Sequence, residues 1–290
     1  MIVDAHHHLW DPRRASYPWL TDALAPINRA FTIADLVAVT TPAQVDATVL
    51  VQTRASTDET LEFLGCDQPV AGVIGWVDLT AVNVSDAIAQ LRSGPHGHRL
   101  IGIRHQVHDE LDPNWLDRVD VRRGISATIE ADLAFDLLVR TRELPAATRL
   151  AAAFPEGRFV LDHLAKPPLT QARTSSDMLE WSTALRHLGA HANVSAKVSG
   201  LVTEADWESW NNESLRPAID IALDVFGPQR LMFGSDWPVC LMASTYSHVI
   251  DTTQTLVAHL TLDERAQIFG ENALRVYRLD LHHHTGDLNP

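Results

Sequence analysis

Short runs of apolar, often β-branched residues recur along the chain, and more polar stretches with helical spacing of apolar residues lie between them. Runs that are apolar almost throughout, rather than at alternate positions, are typical of strands covered on both faces, as in parallel sheets. The pattern predicts eight such strands, at residues 2–6, 47–52, 70–79, 100–105, 125–130, 158–163, 194–199 and 231–236.

Helices are predicted at residues 132–154, with a break at Pro145, and at 177–191, 215–226 and 263–277. Alternating strands and helices without a break in composition predict one α/β domain over residues 1–280, followed by a polar tail at 281–290. An open, doubly wound sheet also fits this alternation. The count of eight strands favours closure into a TIM (β/α)₈ barrel, which usually needs about 250 residues.

Composition narrows the classes of partner and cofactor. The formal net charge of −14 disfavours binding to nucleic acids and to anionic membrane surfaces. The two cysteines, Cys66 and Cys240, lack the spacing of a disulfide framework or a thiolate zinc site, which suits a reducing compartment. No P-loop or G-x-G-x-x-G element is present, so we expect no nucleotide cofactor.

The first residues have no signal-peptide pattern, and no apolar run reaches the roughly 18 residues of a membrane span. We therefore expect a cytoplasmic protein that does not associate with membranes. A homo-oligomer is compatible with these patterns.

Polar side chains stand repeatedly at the ends of the predicted strands. Reactive groups of a parallel barrel collect at the C-terminal ends of its strands, so this placement indicates an enzyme. Cationic groups there can hold a substrate carboxylate or polarise a carbonyl, although each is equally suited to a structural ion pair, and aromatic residues are also ordinary core residues. The candidate substrate-binding residues are Gln52, Trp76, Arg104, His105, Lys197 and Trp237.

His6 and His8 are two residues apart on an extended segment, so their side chains lie on one face, about 6.6 Å apart along the strand. Two imidazoles on one face can bind a single divalent ion such as zinc, at N–metal distances of about 2.0–2.1 Å. A polar strand end without a ligand is the simpler alternative. His7 points to the opposite face, and we expect a structural role for it.

His163 and Asp236 end the sixth and eighth predicted strands. A histidine after an apolar strand is commonly a hydrogen-bonded core residue, and an aspartate at a strand-to-helix turn is commonly a cap. In a closed barrel, however, both would point into the cavity that contains His6 and His8. We therefore predict that His6, His8, His163 and Asp236 are catalytic, with Asp236 binding a metal or accepting a proton from water. The same four residues are the candidate ligands of one divalent ion.

Several motifs together resemble the lactonase branch of the amidohydrolase superfamily, of the amidohydrolase-2 type, and they cover nearly the whole chain. They are VDAHHHLWDP at 3–12, YPWL at 17–20, GIRH at 102–105, DHLAKP at 162–167, KVSGL at 197–201, RLMFGSDWPV at 230–239 and IFGENA at 268–273.

The resemblance implies a distorted TIM barrel that hydrolyses lactones, such as L-fuconolactone, L-rhamnonolactone or pyrone dicarboxylate lactone. It implies Asp236 as the general base, with His6, His8 and His163 around the carbonyl, with or without zinc. Binuclear amidohydrolases carry a carboxylated lysine at the end of the fourth strand. Arg104 and His105 stand there in this chain, so we expect no two-metal centre.

The leading hypothesis is hydrolysis of a sugar lactone in carbohydrate catabolism. Arg104 is the one strand-end arginine that the pattern places, which favours a neutral, polyhydroxylated lactone over an aryl dicarboxylate. One alternative is a metal-dependent decarboxylase of an aromatic or unsaturated acid, for which Asp4 would be the nearest additional metal ligand. The other is a catalytically inactive barrel that only binds a ligand.

Overall fold

The structure, a computed structural model, describes residues 1–170, 172 and 174–281. Within these residues, eight parallel strands form one sheet in the order of the chain. The strands are β1 (Val3–His7), β2 (Ala47–Val51), β3 (Val70–Gly75), β4 (Leu100–His105), β5 (Ala134–Leu137), β6 (Phe159–Leu161), β7 (Val194–Val198) and β8 (Leu231–Phe233).

Backbone hydrogen bonds close the sheet into a barrel just beyond β8. The amide of Asp236 donates to the carbonyl of His6 at 2.8 Å, and the amide of His8 donates to the carbonyl of Trp237 at 2.7 Å. The predicted TIM barrel is therefore confirmed. Because closure runs through residues 6–8 and 236–237, it joins the first strand to the segment after the last strand at the candidate site.

Helices surround the sheet and pack their apolar faces against it. They are α1 (Ile33–Thr40), α2 (Thr57–Leu64), α3 (Val84–Ser93), α4 (Val119–Glu130), α5 (Leu144–Ala153), α6 (Ser176–Gly189), α7 (Leu201–Glu204), α8 (Asn212–Phe226), α9 (Tyr246–Leu256), α10 (Leu262–Ala266) and α11 (Asn272–Tyr277). No helix among the described residues is both long and apolar enough to cross a lipid bilayer.

The fifth strand is the main error of the predicted pattern. Residues 125–130, predicted as a strand, lie in α4, whose buried positions include Val121, Ile125 and Thr128. That spacing is helical, and the exposed Glu130 is a helix residue rather than a strand end. The true strand, β5, lies inside the predicted helix 132–154, which is confirmed only over α5. Pro145 lies in the first turn of α5, where its missing N–H has no intrahelical partner to lose.

The other predicted elements are confirmed with shifted boundaries. Residues 76–79 fall outside β3, and the predicted helix 263–277 consists of α10, a wider π turn at Gln267–Glu271, and α11. α11 packs against the interior of the barrel through residues such as Val276 and Tyr277. Residues 282–290 of the predicted polar tail, including His282, His283 and His284, lie outside the described residues.

Candidate active site

Four of the predicted residues meet at one end of the barrel. Oδ1 of Asp236 lies 3.8 Å from Nε2 of His6, 3.6 Å from Nε2 of His8 and 3.8 Å from Nε2 of His163. All four side chains are buried. A carboxylate oxygen and three imidazole nitrogens from distant parts of the sequence therefore converge on one point.

Successive side chains of β1 point to opposite faces of the strand, and this sets the directions of its three histidines. The Nε2 atoms of His6 and His8 lie 3.1 Å apart on the same face. His7 points to the other face, where its Nε2 lies 2.9 Å from the hydroxyl of Thr48. The period-2 geometry of an extended chain is the cause of both observations.

The second nitrogen of each converging imidazole has a neighbour of its own. Nδ1 of His8 lies 2.8 Å from the carbonyl of Val51, and because a carbonyl only accepts, Nδ1 donates in this contact and Nε2 faces the cluster. Nδ1 of His163 lies 2.9 Å from the hydroxyl of Ser199. Nδ1 of His6 lies 3.2 Å from Oδ1 of Asp162.

Strained backbone supports two members of the cluster. His163 and Asp236 have φ values of 52° and 56°, in the left-handed region that side chains with a Cβ rarely adopt. Gly200, with φ 63°, packs against both residues. A Cβ atom at position 200 would lie 2.7 Å from Nδ1 of His163 and 3.0 Å from Oδ2 of Asp236. Only glycine fits here, because both the φ angle and the close approach exclude a side chain.

A network of buried charges lies beside His6 inside the barrel. The ammonium of Lys197 lies 2.6 Å from Asp136 and 3.0 Å from Asp162, and Nη1 of Arg104 lies 2.9 Å from Asp162. Two cations thus face two carboxylates, and this pairing lowers the free-energy cost of burying the four charges. Lys197 and Arg104 also approach the ring of His6, at 3.2 Å from Nδ1 and 3.4 Å from Nε2.

The protonation states follow from burial and from these neighbours. Burial lowers the pKa of His163 to about 4, against the opposing effect of Asp236. Burial also lowers the pKa of His6 well below its ordinary value. Burial by itself raises the pKa of Asp236, but His163 and His8 outweigh it, so the pKa of this carboxyl lies below its ordinary value. At neutral pH the cluster therefore contains the ionised carboxylate of Asp236 facing the neutral imidazoles of His6 and His163.

This donor set fits a divalent metal ion. Potential ligand atoms of His6, His163 and Asp236 all lie within 4.8 Å of one another. The separation of 3.1 Å between the Nε2 atoms of His6 and His8 is close to that of two ligands on one zinc ion. Oδ1 of Asp162 lies 3.2 Å from the outer nitrogen of His6, a position from which a carboxylate can support a metal-ligating histidine.

A cavity of about 390 Å³ opens above the cluster. Its wall includes His8, His163 and Asp236 of the cluster, and of the candidate substrate-binding residues it includes Arg104. The side chains that complete its polar and aromatic lining come from loops and short helical segments that follow the strands, and they are Trp19, Thr53, Gln106, His108, Asp109, Arg140, Lys166, Thr203, Glu204 and Trp207.

The remaining predicted substrate-binding residues lie around this cavity rather than in its wall. Lys197 lies in the buried charge network, and the side-chain amide of Gln52 donates to the carbonyl of Arg104. The indole N–H of Trp76 donates to Nδ1 of His105, whose Nε2 lies 2.7 Å from Glu110. Trp237 is buried and packs edge-on against Phe31.

The sequence pattern missed several residues of the site. Asp136 lies on β5, which was predicted as helix, so its place on a strand was hidden. Lys166 and Glu204 lie in or beside loops, and no periodicity distinguishes them. Lys166 belongs to the DHLAKP motif, which is the one signal that points to it.

Asp4, the additional ligand that a decarboxylase would need, is engaged elsewhere. Its carboxylate accepts hydrogen bonds from the amide of Ser235 at 2.8 Å, the hydroxyl of Ser235 at 2.6 Å and the hydroxyl of Tyr246 at 3.0 Å. These contacts hold β1 to the segment after β8, which is a structural role.

The chain is similar to known proteins over nearly its whole length. A family model described as amidohydrolase matches residues 3–279. The chain is 38% identical over 287 residues to an L-fucono-1,5-lactonase of Burkholderia multivorans and 36% identical over 287 residues to one of Burkholderia ambifaria, with 96% of each chain covered. It also superposes on a crystal structure of an amidohydrolase from Burkholderia multivorans with bound zinc. That similarity has a TM-score of 0.90 and 37% identity, and covers 97% of this chain and 100% of the other.

Proposed function

The chain belongs to the amidohydrolase family, and on this premise we propose that it is a lactonase that opens the ring of a sugar lactone in carbohydrate catabolism. The observation that carries the proposal is the contact of Asp236 with three imidazoles at the floor of an open cavity. The similarity of the chain to two L-fucono-1,5-lactonases supports a substrate that is a lactone with a sugar skeleton.

Asp236 is the base in this proposal. Its lowered pKa keeps the carboxylate ionised at neutral pH, so it can take a proton from a water molecule. The water oxygen bonds to the lactone carbonyl carbon, and the bond from that carbon to the ring oxygen breaks. The proton held by Asp236 then passes to the departing ring oxygen, giving the hydroxy acid.

The neighbouring side chains stabilise the charge that develops on the carbonyl oxygen. Nη1 of Arg104 lies at the cluster, 3.4 Å from Nε2 of His6, and it supplies a fixed positive charge. We propose that a divalent ion, zinc, would be held by His6, His8, His163 and Asp236. Such an ion would polarise the carbonyl and lower the pKa of the attacking water.

The charges around the cavity favour an uncharged substrate. Among the described residues that line it, Arg104, Arg140 and Lys166 are cationic, and Asp109, Glu204 and Asp236 are acidic. Arg104 is already paired with Asp162. A dicarboxylate would need a surplus of cations, which this lining lacks.

The test is a panel of aldono-, pyrone- and muconolactones assayed with a pH indicator, together with metal analysis of the purified protein. We expect acid release from an aldonolactone, and a loss of about 10²- to 10⁴-fold in kcat for Asp236→Asn. Asp86→Asn, on the outer helix α3, is the matched control and should retain full activity. Near wild-type turnover by Asp236→Asn would contradict the role of this residue. Carbon dioxide release from aromatic acids without ring opening would favour the decarboxylase.

A further inference from the structure

One ion pair in the cavity wall has no part in the reacting cluster. The ammonium of Lys166 lies 2.7 Å from Oε1 of Glu204, and each side chain is only 17% exposed. Both residues line the same cavity as Asp236. The pair is therefore set into the wall of the pocket, where it can meet a bound ligand.

The backbone holds the two members in place. Lys166 is the last of four consecutive residues with positive φ, beginning at His163. Leu164, which is buried, stabilises this turn, because its carbonyl accepts a hydrogen bond from the indole N–H of Trp181. Glu204 ends the short helix α7, which starts directly after Gly200. Each member of the pair is thus linked within four residues to a group that contacts Asp236.

The pair leaves hydrogen-bonding capacity on both sides. An ammonium has three donors and a carboxylate has two acceptor oxygens, and their mutual contact uses one of each. A hydroxyl group both donates and accepts, so it can bridge the remaining N–H donors and the second carboxylate oxygen. A carboxylate substituent only accepts, and Glu204 would repel its charge.

We propose that the Lys166–Glu204 pair recognises the ring hydroxyls of the lactone and thereby selects hydroxylated, uncharged lactones over carboxylated ones. This inference rests on the proposed lactonase function and adds the specificity determinant. The positive charge of Lys166 contributes to lowering the pKa of Asp236 and of His163, which agrees with an ammonium directed toward the reaction centre. Trp207, from the loop that follows Glu204, adds an aromatic surface to the same cavity.

The experiment compares kcat/KM for three 1,5-lactones: L-fucono-1,5-lactone, unsubstituted δ-valerolactone and a lactone with a ring carboxylate. In Lys166→Met, the preference for the hydroxylated lactone over δ-valerolactone should fall about 10- to 100-fold, as expected for loss of hydrogen bonds to a charged group. In Glu204→Gln, the discrimination against the carboxylated lactone should fall about 10-fold. Arg186→Met breaks the exposed ion pair with Asp224 on the outer helices and should keep all three values.

Binding of a pyranose with the same hydroxyl configuration, which lacks the ester carbonyl, provides a readout independent of catalysis. Calorimetric titration should give a Kd at least about 10-fold weaker for Lys166→Met than for the wild type. If the wild type opens lactones and neither variant changes the preferences, this inference is overturned while the proposed function stands. If the wild type opens no lactone, the proposed function fails. The titration then decides the inference alone, and either an equal Kd or no binding by the wild type overturns it.

Discussion

Ser235 donates two hydrogen bonds to Asp4, one from its backbone amide at 2.8 Å and one from its hydroxyl at 2.6 Å, across 231 residues of sequence. Asp4 belongs to the first strand and Ser235 directly precedes Asp236. A contact that ties the first strand to the segment after β8 therefore lies directly beside the proposed base. Stability and catalysis should depend on it together.

Ser235→Ala tests this dependence. The variant keeps the backbone hydrogen bond and loses the hydroxyl, so we expect a loss of about 2 kcal/mol in the free energy of unfolding and a kcat lower by about 10-fold. Tyr246→Phe is the matched control, because it removes another hydrogen bond to Asp4 without touching the residue beside Asp236. Urea unfolding and steady-state kinetics measure both effects. Equal kcat losses in the two variants would contradict a specific link to Asp236.

A comparison of Gly200→Ala with Gly227→Ala should separate the effect of backbone strain from the effect of damage to the site. The φ of 63° costs an alanine roughly 1–2 kcal/mol, and its Cβ would in addition press on His163 and Asp236. We expect both lower stability and a large loss of kcat/KM. Gly227→Ala has the same φ, but its Cβ would meet the side chain of Gln229 instead. Thermal unfolding should show that this control is destabilised, and kinetics should show that it remains active.

Asp162→Asn should weaken metal binding. The carboxylate lies beside Nδ1 of His6, and loss of such an outer partner typically costs about 10- to 100-fold in metal affinity. Asp136→Asn is the comparison, because Asp136 belongs to the same buried network but contacts Lys197 rather than the histidines proposed to bind the metal. Zinc titration of the two folded variants against a chelating indicator makes the comparison. Equal affinities in wild type and Asp162→Asn would show that Asp162 does not support the ligand.

His108 makes stability depend on pH. Burial, together with the cations Lys166 and Arg140, lowers the pKa of His108 to about 3 from its ordinary 6.5. Between these values the unfolded chain binds a proton that the folded chain does not. Above about pH 6.5 His108 is neutral in both states, so its titration costs the folded protein nothing. Below that pH, protonation of His108 in the unfolded chain lowers the free energy of unfolding progressively as the pH falls toward 3.

At pH 5.0 the loss due to His108 amounts to about 2 kcal/mol relative to pH 7.5. In His108→Asn this titrating group is absent, so the variant should lose correspondingly less stability between the two pH values. Urea unfolding at pH 7.5 and 5.0 gives the difference for both proteins. His163, whose pKa is about 4, contributes with the same sign in both and cancels in the comparison. An identical pH effect in the two proteins would exclude His108 as a source.

Much of the fold was predictable because the signals are local. Largely apolar runs marked seven of the eight strands, since strands covered on both faces are composed mainly of apolar side chains. The alternation of an extended chain placed His6 and His8 on one face and His7 on the other. β5 escaped detection because the apolar residues around Asp136 continue into those of α5, so one helix was predicted over both elements. The charge of Asp136 within the strand is stabilised by Lys197 and Tyr277 from distant parts of the chain.

The sequence by itself determined the class of fold, the side on which the first histidines lie and the placement of polar groups at strand ends, because each depends on neighbouring residues alone. Only the tertiary structure decided that Asp236 meets His6, that Asp162 rather than solvent faces Nδ1 of His6, and that Lys166 pairs with Glu204. These contacts join residues from 38 to 230 positions apart. They exist because closing the barrel brings strand ends together, and no local pattern specifies which side chains then touch.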